Sequence, residues 1–171
     1  IERYTKGKWV KVGYSTTFKP TSDGDDLMYG LQSGNYRLKL KNPKDQVLGV
    51  EYNKESMSKK AVYKKSKAIK VNEDAENIYT EGEQAARWYK VVVKSTKHRR
   101  ILELDNNCIG GGFKFVVYKN GQKKAIKTAK IKSDGRGVEM TLPKQKATYY
   151  IQVSKLTKKT NGAYFIEHYE E

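Results

Sequence analysis

From Trp88 to the C-terminus the chain alternates apolar and polar residues with a period of two, and this pattern limits the fold more than any other feature. Side chains of an extended strand point alternately to opposite faces, so each such run reads as a half-buried strand. Trp88-Tyr89-Lys90-Val91-Val92-Val93-Lys94 puts Tyr89, Val91 and Val93 on one face. Ile101-Leu102-Glu103-Leu104 pairs Leu102 with Leu104, and Phe113, Phe115 and Val117 share a face opposite Lys114 and Tyr118. Tyr149, Ile151 and Val153 alternate with Tyr150, Gln152 and Ser154, and Ala163–Tyr169 is a last strand. Asn120-Gly121 predicts a hairpin through a type I′ turn, folding 113–119 back onto 122–131. Asn161-Gly162 is a second turn signal, and Glu73–Glu83 reads as a loop or an edge strand around Asn77–Tyr79. Ser56–Lys65 contains helix formers but no apolar stripe, so it reads as a connector. The predicted fold class is all-β: a jelly-roll-like antiparallel β-sandwich, one complete sandwich preceded by an N-terminal half-repeat.

The half-repeat rests on a match of pattern. Gly34-Asn35-Tyr36-Arg37-Leu38-Lys39-Leu40-Lys41 parallels Ala147-Thr148-Tyr149-Tyr150-Ile151-Gln152-Val153-Ser154, and the same spacing sets Gly49 on Gly162 and Tyr52 on Phe165. This divides the chain into a partial unit at 1–54, a linker rich in Lys and Ser at 55–65, and a complete unit at 66–171. Half a sandwich exposes a bare apolar face and unpaired edges. Residues 1–54 are therefore expected to pack on the C-terminal unit or on another copy in a dimer.

Charge narrows the function. The 171 residues carry 35 Lys and Arg against 19 Asp and Glu, a formal net charge of +16. Only six of the basic residues are Arg. Base reading favours the planar fork of Arg, whereas Lys is a hydrated point charge. A solvated strand surface is thus the simpler account and nucleic acid an unfavoured partner; the alternative is a polyanion-binding face, for cell-wall polymers, acidic glycans or nucleic acid. Between Asn106 and Ser133 the basic residues are Lys114, Lys119, Lys123, Lys124, Lys127, Lys130 and Lys132, with no acid among them. That run is the candidate polyanion face. No stretch approaches the ~20 apolar residues of a membrane-spanning helix, so membrane insertion by a helix is not expected. A single Cys excludes an internal disulfide framework.

Catalytic chemistry finds little material. His98 lies in a Lys-His-Arg-Arg turn and His168 four residues from the end, and both read as surface residues. Cys108 precedes Ile109 and three glycines with no base adjacent in sequence, and reads as a turn or partly buried thiol. Asp23, Asp25 and Asp26 are weak candidates for a hard cation, but no Glu stands where an EF-hand loop needs one, and Asp-Gly-Asp is also turn chemistry. No cofactor is expected; calcium is conceivable at these residues and unsupported. The aromatic content is more informative: 13 Tyr, 2 Trp and 4 Phe. Tyr and Trp are rigid amphipathic anchors, although they also cover strands simply through β propensity. Alternation sets Trp88, Tyr118 and Tyr150 outward with Lys90 and Lys114 beside them, a candidate patch for protein or glycan.

Ala68-Ile69-Lys70-Val71, then Gly82, then Arg87-Trp88-Tyr89-Lys90-Val91 resembles the bacterial pre-peptidase C-terminal (PPC) domain. Ile101–Leu104, the Phe113 to Gly121 segment, Leu142-Pro143 and Ala147-Thr148-Tyr149-Tyr150-Ile151-Gln152-Val153 are similar to its later strands. The likeness covers 61–171 in full and 7–54 as a half. Arg87 stands where the family usually has an acid, and Asn106–Gly112 replaces its Asp-rich turn. The resemblance implies a non-catalytic accessory or binding module of a secreted or surface bacterial protein, with an extracellular protein or glycan as partner. A polyanion- or nucleic-acid-binding basic β domain is the alternative, and a purely structural spacer a further one.

Overall fold

Strands with one apolar face must bury it, and here they do so by pairing two sheets. The computed structural model describes residues 1–17, 28–41, 61–133 and 135–171. β1 (Glu2–Thr5), β2 (Lys8–Lys11) and β3 (Tyr36–Arg37) form a small sheet in the order β2-β1-β3. A 3-10 turn at Lys65–Lys67 leads into β4 (Ile69–Lys70). Then follow β5 (Asp74–Tyr79), β6 (Arg87–Val93), β7 (Arg100–Cys108), β8 (Gly112–Lys119), β9 (Ala125–Lys132), β10 (Val138–Leu142), β11 (Ala147–Lys155) and β12 (Gly162–Glu170). They sort into a four-stranded sheet, β10-β7-β12-β5, and a five-stranded sheet, β4-β6-β11-β8-β9. Neighbouring strands are antiparallel except β4 and β6. Apart from the β8–β9 hairpin, each strand from β5 onward lies in the sheet opposite to its predecessor. The all-β sandwich expected from the alternation is the observed architecture.

The alternation also selects the core. Tyr89, Val91, Leu102, Leu104, Phe113, Phe115, Val117, Tyr149, Ile151 and Val153 are all buried. Aromatic rings join the two layers. Tyr79 of β5 stacks on Phe113 of β8 with centroids 5.6 Å apart, and Tyr164 of β12 meets Tyr89 of β6 edge-on at 6.0 Å. Such offset and edge contacts add about 0.5–1.5 kcal/mol each beyond the area they bury.

Several local expectations are corrected. The Asn120-Gly121 hairpin forms, but not through a type I′ turn, because that turn needs positive φ at both central residues and only Gly121 has it, at 79°. With Gln122 N–H donating to Lys119 O at 3.1 Å, the geometry is that of a type II turn. Pairing resumes at Tyr118 and Ala125 through a bulge that leaves Ile126 packed against the core. Asn161-Gly162 closes no hairpin: it ends the crossover from β11 to β12, which lie in different sheets. Of the two readings of Glu73–Glu83, the edge strand is the one observed: β5 forms an edge of the four-stranded sheet.

His168 is not a surface residue. It is 8% exposed, on the inward set of β12. Its Nε2 lies 3.0 Å from Val71 O and its Nδ1 3.4 Å from Arg100 Nη1. A neutral ring with the proton on Nε2 satisfies both contacts, and a second proton would face Arg100. Burial lowers its pKa first, with Arg100 and Lys70 adding to that against the opposing pull of Val71 O and Glu73. A His with a depressed folded pKa contributes stability above its unfolded value of about 6.5, lost as pH falls below it. Denaturation midpoints at pH 7.5 and 5.5 should therefore differ more for the wild type than for His168→Gln; parallel losses would refute the assignment.

The described N-terminal residues lie against the sandwich of the same chain. Glu81 accepts from Tyr36 OH at 2.6 Å and from Gln32 N–H at 3.1 Å, and pairs with Arg3 at 3.3 Å. Tyr14 OH lies 2.9 Å from Thr157 Oγ1. Gly30 sits so close to β5 that a Cβ there would lie 2.0 Å from Tyr79 O, so no other residue fits. Leu38 and Leu40 are 51% and 43% exposed, whereas Ile151 and Val153, which match them in pattern, are fully buried. Gly49, Tyr52 and the candidate carboxylates Asp23, Asp25 and Asp26 lie outside the described residues, as does most of the 55–65 linker.

Candidate functional site

Once the strands are assigned to sheets, the charge segregates between them. The five-stranded sheet contains no Asp or Glu in any of its strands. The four-stranded sheet holds Asp74, Glu76, Glu103, Asp105, Glu139, Glu167 and Glu170 against one basic residue, Arg100. Glu139, Glu103, Glu167 and Asp74 lie in direct register across all four strands. Like charges directly opposite destabilise a sheet. Glu103 feels this arrangement: burial, then Glu167, Glu139 and Asp105, hold its carboxyl above the usual range.

The outer face of the five-stranded sheet has the opposite sign and an aromatic centre. On β6 the buried Tyr89 and Val91 leave Trp88 and Lys90 outward; on β11 the buried Tyr149 and Ile151 leave Tyr150 and Gln152 outward; on β8 Tyr118 and Lys114 follow the same rule. Tyr150 lies in register with Lys90 on one side and Tyr118 on the other. Trp88 and Tyr118 reach across β11 to bring their centroids within 5.8 Å. The four residues expected to form a patch, Trp88, Lys90, Tyr118 and Tyr150, thus share one surface. Lys65 belongs with them. Its Nζ lies over all three rings, 4.8 Å from Tyr150, 5.2 Å from Tyr118 and 5.8 Å from Trp88. The sequence gives no hint of this, because Lys65 falls in a segment without periodicity and reads as linker.

Of the lysine run, Lys114, Lys130 and Lys132 lie on this face. Lys114 and Lys130 are register partners, and so are Lys70 and Lys90 at the other side of the aromatic centre. Lys119 is drawn to the sheet end, donating to Gln145 Oε1 at 2.8 Å. Lys123 and Lys124 are exposed in the connection between β8 and β9, and Lys127 lies beside the bulge on the edge strand.

Arg87, in the strand position where the PPC resemblance leads one to expect an acid, points inward. It is 4% exposed. Its Nε donates to Glu83 Oε1 at 2.8 Å and its Nη2 to Glu83 Oε2 at 2.5 Å and Ile78 O at 2.7 Å. Its Nη1 donates to Asn77 Oδ1 at 2.8 Å and Tyr164 OH at 3.1 Å. All five guanidinium protons are therefore used, and the group sits 4.1 Å from the Tyr79 ring centroid. This is a buried polar hub that ties the end of β5 to β6 and β12.

The remaining reactive group is tied up in the fold. Cys108 Sγ donates to Asn106 Oδ1 at 2.9 Å, and burial pushes its thiol up to about 12. A thiol with that pKa holds almost no thiolate at neutral pH. Native protein at pH 8 should resist iodoacetamide for hours and react once unfolded in urea; rapid native labelling would refute the burial. Among the described residues no group of three His, Cys, Asp or Glu side chains could hold a metal ion.

No family model and no curated protein sequence matches the chain. Several solved structures are similar to it at a distance, among them the following two. One is the pre-peptidase C-terminal domain of a collagenase from Bacillus anthracis, 18% identical, covering 60% of this chain and 92% of that one with a TM-score of 0.47. The other is PliG from Aeromonas hydrophila, a periplasmic inhibitor of g-type lysozyme, 17% identical, covering 60% of this chain and 96% of that one with a TM-score of 0.40.

Proposed function

We propose that the protein is a non-catalytic binding module whose five-stranded sheet presents its outer face to an anionic glycan. The observation that carries this reading is the separation of charge between the two outer faces. A linear polyanion condenses counterions, and lysines that neutralise it release them. The acid-free face concentrates that gain, while the carboxylate row on the other sheet repels the same ligand and fixes which side binds. Lysine supplies point charges for carboxylate or sulfate groups without the bidentate fork that base reading favours. Gln152, Ser154 and Thr128, set between the lysines, offer amide and hydroxyl groups suited to a hydroxyl-rich chain. The non-catalytic part is supported by Cys108 and His168, both committed to internal hydrogen bonds. An extracytoplasmic setting, which the PPC resemblance implies, belongs to the same proposal.

Amide shifts followed by NMR on titration with a heparin octasaccharide, polygalacturonate, a neutral oligosaccharide and duplex DNA test this. The expected result is salt-sensitive binding of the acidic glycans, with shifts confined to the five-stranded sheet and the Lys65–Lys67 turn beside it. Absence of binding at low salt, or shifts on the four-stranded sheet, refutes it. Equal affinity for DNA would reassign the ligand to nucleic acid.

A further inference from the structure

The position of Lys65 identifies which group on the face makes the first contact. Three aromatic rings from three adjacent strands converge on one ammonium. Ring faces attract a cation through their quadrupole, but they accept no strong hydrogen bond. The three N–H donors of Lys65 are therefore not consumed by the rings. Among the described residues no carboxylate pairs with it either. A lysine normally gives up much of its rotamer freedom when it binds, which weakens the contact. Here that ordering is already done by the fold.

The backbone explains why the side chain lands there. Trp88 N–H donates to Val62 O at 2.9 Å, and Val71 N–H to Lys90 O at 2.9 Å. These two bonds fasten the chain to the edge of β6 on both sides of the 3-10 turn. The turn between them closes through Lys67 N–H to Lys64 O and Ala68 N–H to Lys65 O. Held at both ends, it lifts over the sheet edge and carries Lys65 above the rings. Val116, on the same outer set, is only 6% exposed, so its neighbours on this face shield it from water. Charge interactions strengthen where water is displaced.

We propose that Lys65 is the specificity-determining anion anchor of this face, and that Trp88, Tyr118 and Tyr150 act as a socket that positions its ammonium for a carboxylate or sulfate group of the glycan. This rests on the proposed glycan-binding function, and it changes the role of the rings. They act through Lys65 instead of stacking on the sugar. The flanking pairs Lys70/Lys90 and Lys114/Lys130 then add charge on either side of a fixed central contact.

A double-mutant cycle read by calorimetry with the heparin octasaccharide separates the two roles. Lys65→Ala should weaken binding about tenfold, the worth of one well-placed charge contact. Trp88→Leu and Tyr150→Leu should each weaken it several-fold. Lys65→Ala combined with Tyr150→Leu should be no weaker than Lys65→Ala alone, because the ring acts only through the lysine. Additive losses, or tighter binding by Lys65→Ala, would overturn the proposal while leaving glycan binding intact. Failure of the wild type to bind would instead defeat the function it rests on. The socket has its own readout: the Lys65 ε-methylene protons should be shifted upfield by the rings and return toward free-lysine values in Trp88→Leu. Unshifted protons in the wild type overturn the socket whatever the ligand result.

Discussion

Arg87→Met should cost about 3–5 kcal/mol of stability, the largest loss expected from any single change outside the apolar core. The reason is the number of groups left behind. Removing the guanidinium deprives Glu83, Asn77, Tyr164 and the Ile78 carbonyl of donors at once. The Glu83 side chain is only 14% exposed, so its charge would remain poorly solvated. Burial alone would lower the Arg87 pKa, but Glu83 and Tyr164 outweigh that and hold it well above its ordinary value. Arg87→Lys should fall between wild type and Arg87→Met, since an ammonium offers three donors where five are used. Arg87→Met with Glu83→Gln should cost less than Arg87→Met alone, because the stranded charge is gone. Urea midpoints with an unchanged slope would report all three. A loss under about 1 kcal/mol for Arg87→Met would mean that the hub organises the core without stabilising it.

Lys114→Glu together with Lys130→Glu should abolish most acidic-glycan binding while leaving stability almost untouched. The two residues are cross-strand partners, so the change replaces one like-charge pair with another and keeps their mutual repulsion. Stability should stay within about 0.5 kcal/mol, as for surface substitutions generally. The face, however, becomes more negative by two charge reversals. At roughly 1 kcal/mol for each charge removed and as much again for its reversal, affinity should fall at least a hundredfold. The slope of log affinity against log salt should flatten by about two lysine contacts. Lys114→Glu alone makes an opposite-charge pair and should raise stability by about 0.2–1 kcal/mol. Unchanged affinity in the double variant would move the binding surface elsewhere.

The strands were legible because burial imposes period two on any sheet with one wet face. Tyr89, Val91, Phe113, Phe115, Tyr149 and Ile151 could be assigned to the core from alternation alone. Turn geometry was less legible. Asn120-Gly121 marks a hairpin, yet the bulge at Val117/Tyr118 and the connection through 120–124 set its form, and both depend on how Ile126 meets the core. Its place near the terminus makes His168 read as exposed, yet closeness to a terminus says nothing about register. Its ring is buried because parity sets it on the inward face of β12 with Tyr164 and Ile166, where Val71 O meets it.

The candidate site divides in the same way. Trp88, Lys90, Tyr118 and Tyr150 could be assigned outward by parity. That they adjoin one another depends on β11 lying between β6 and β8, a long-range pairing that no local pattern contains. Lys65 was invisible, since its position comes from two backbone bonds to β6.

By itself, then, the sequence determined most strands from Trp88 onward, their inward faces and a net charge of +16. Only the tertiary structure decided where that charge goes. Successive strands pass from sheet to sheet, so acidic and basic segments that alternate along the chain are sorted into opposite layers. Local periodicity records which side of a strand is buried. It does not record which strands are neighbours, because that is set by the closure of the whole core.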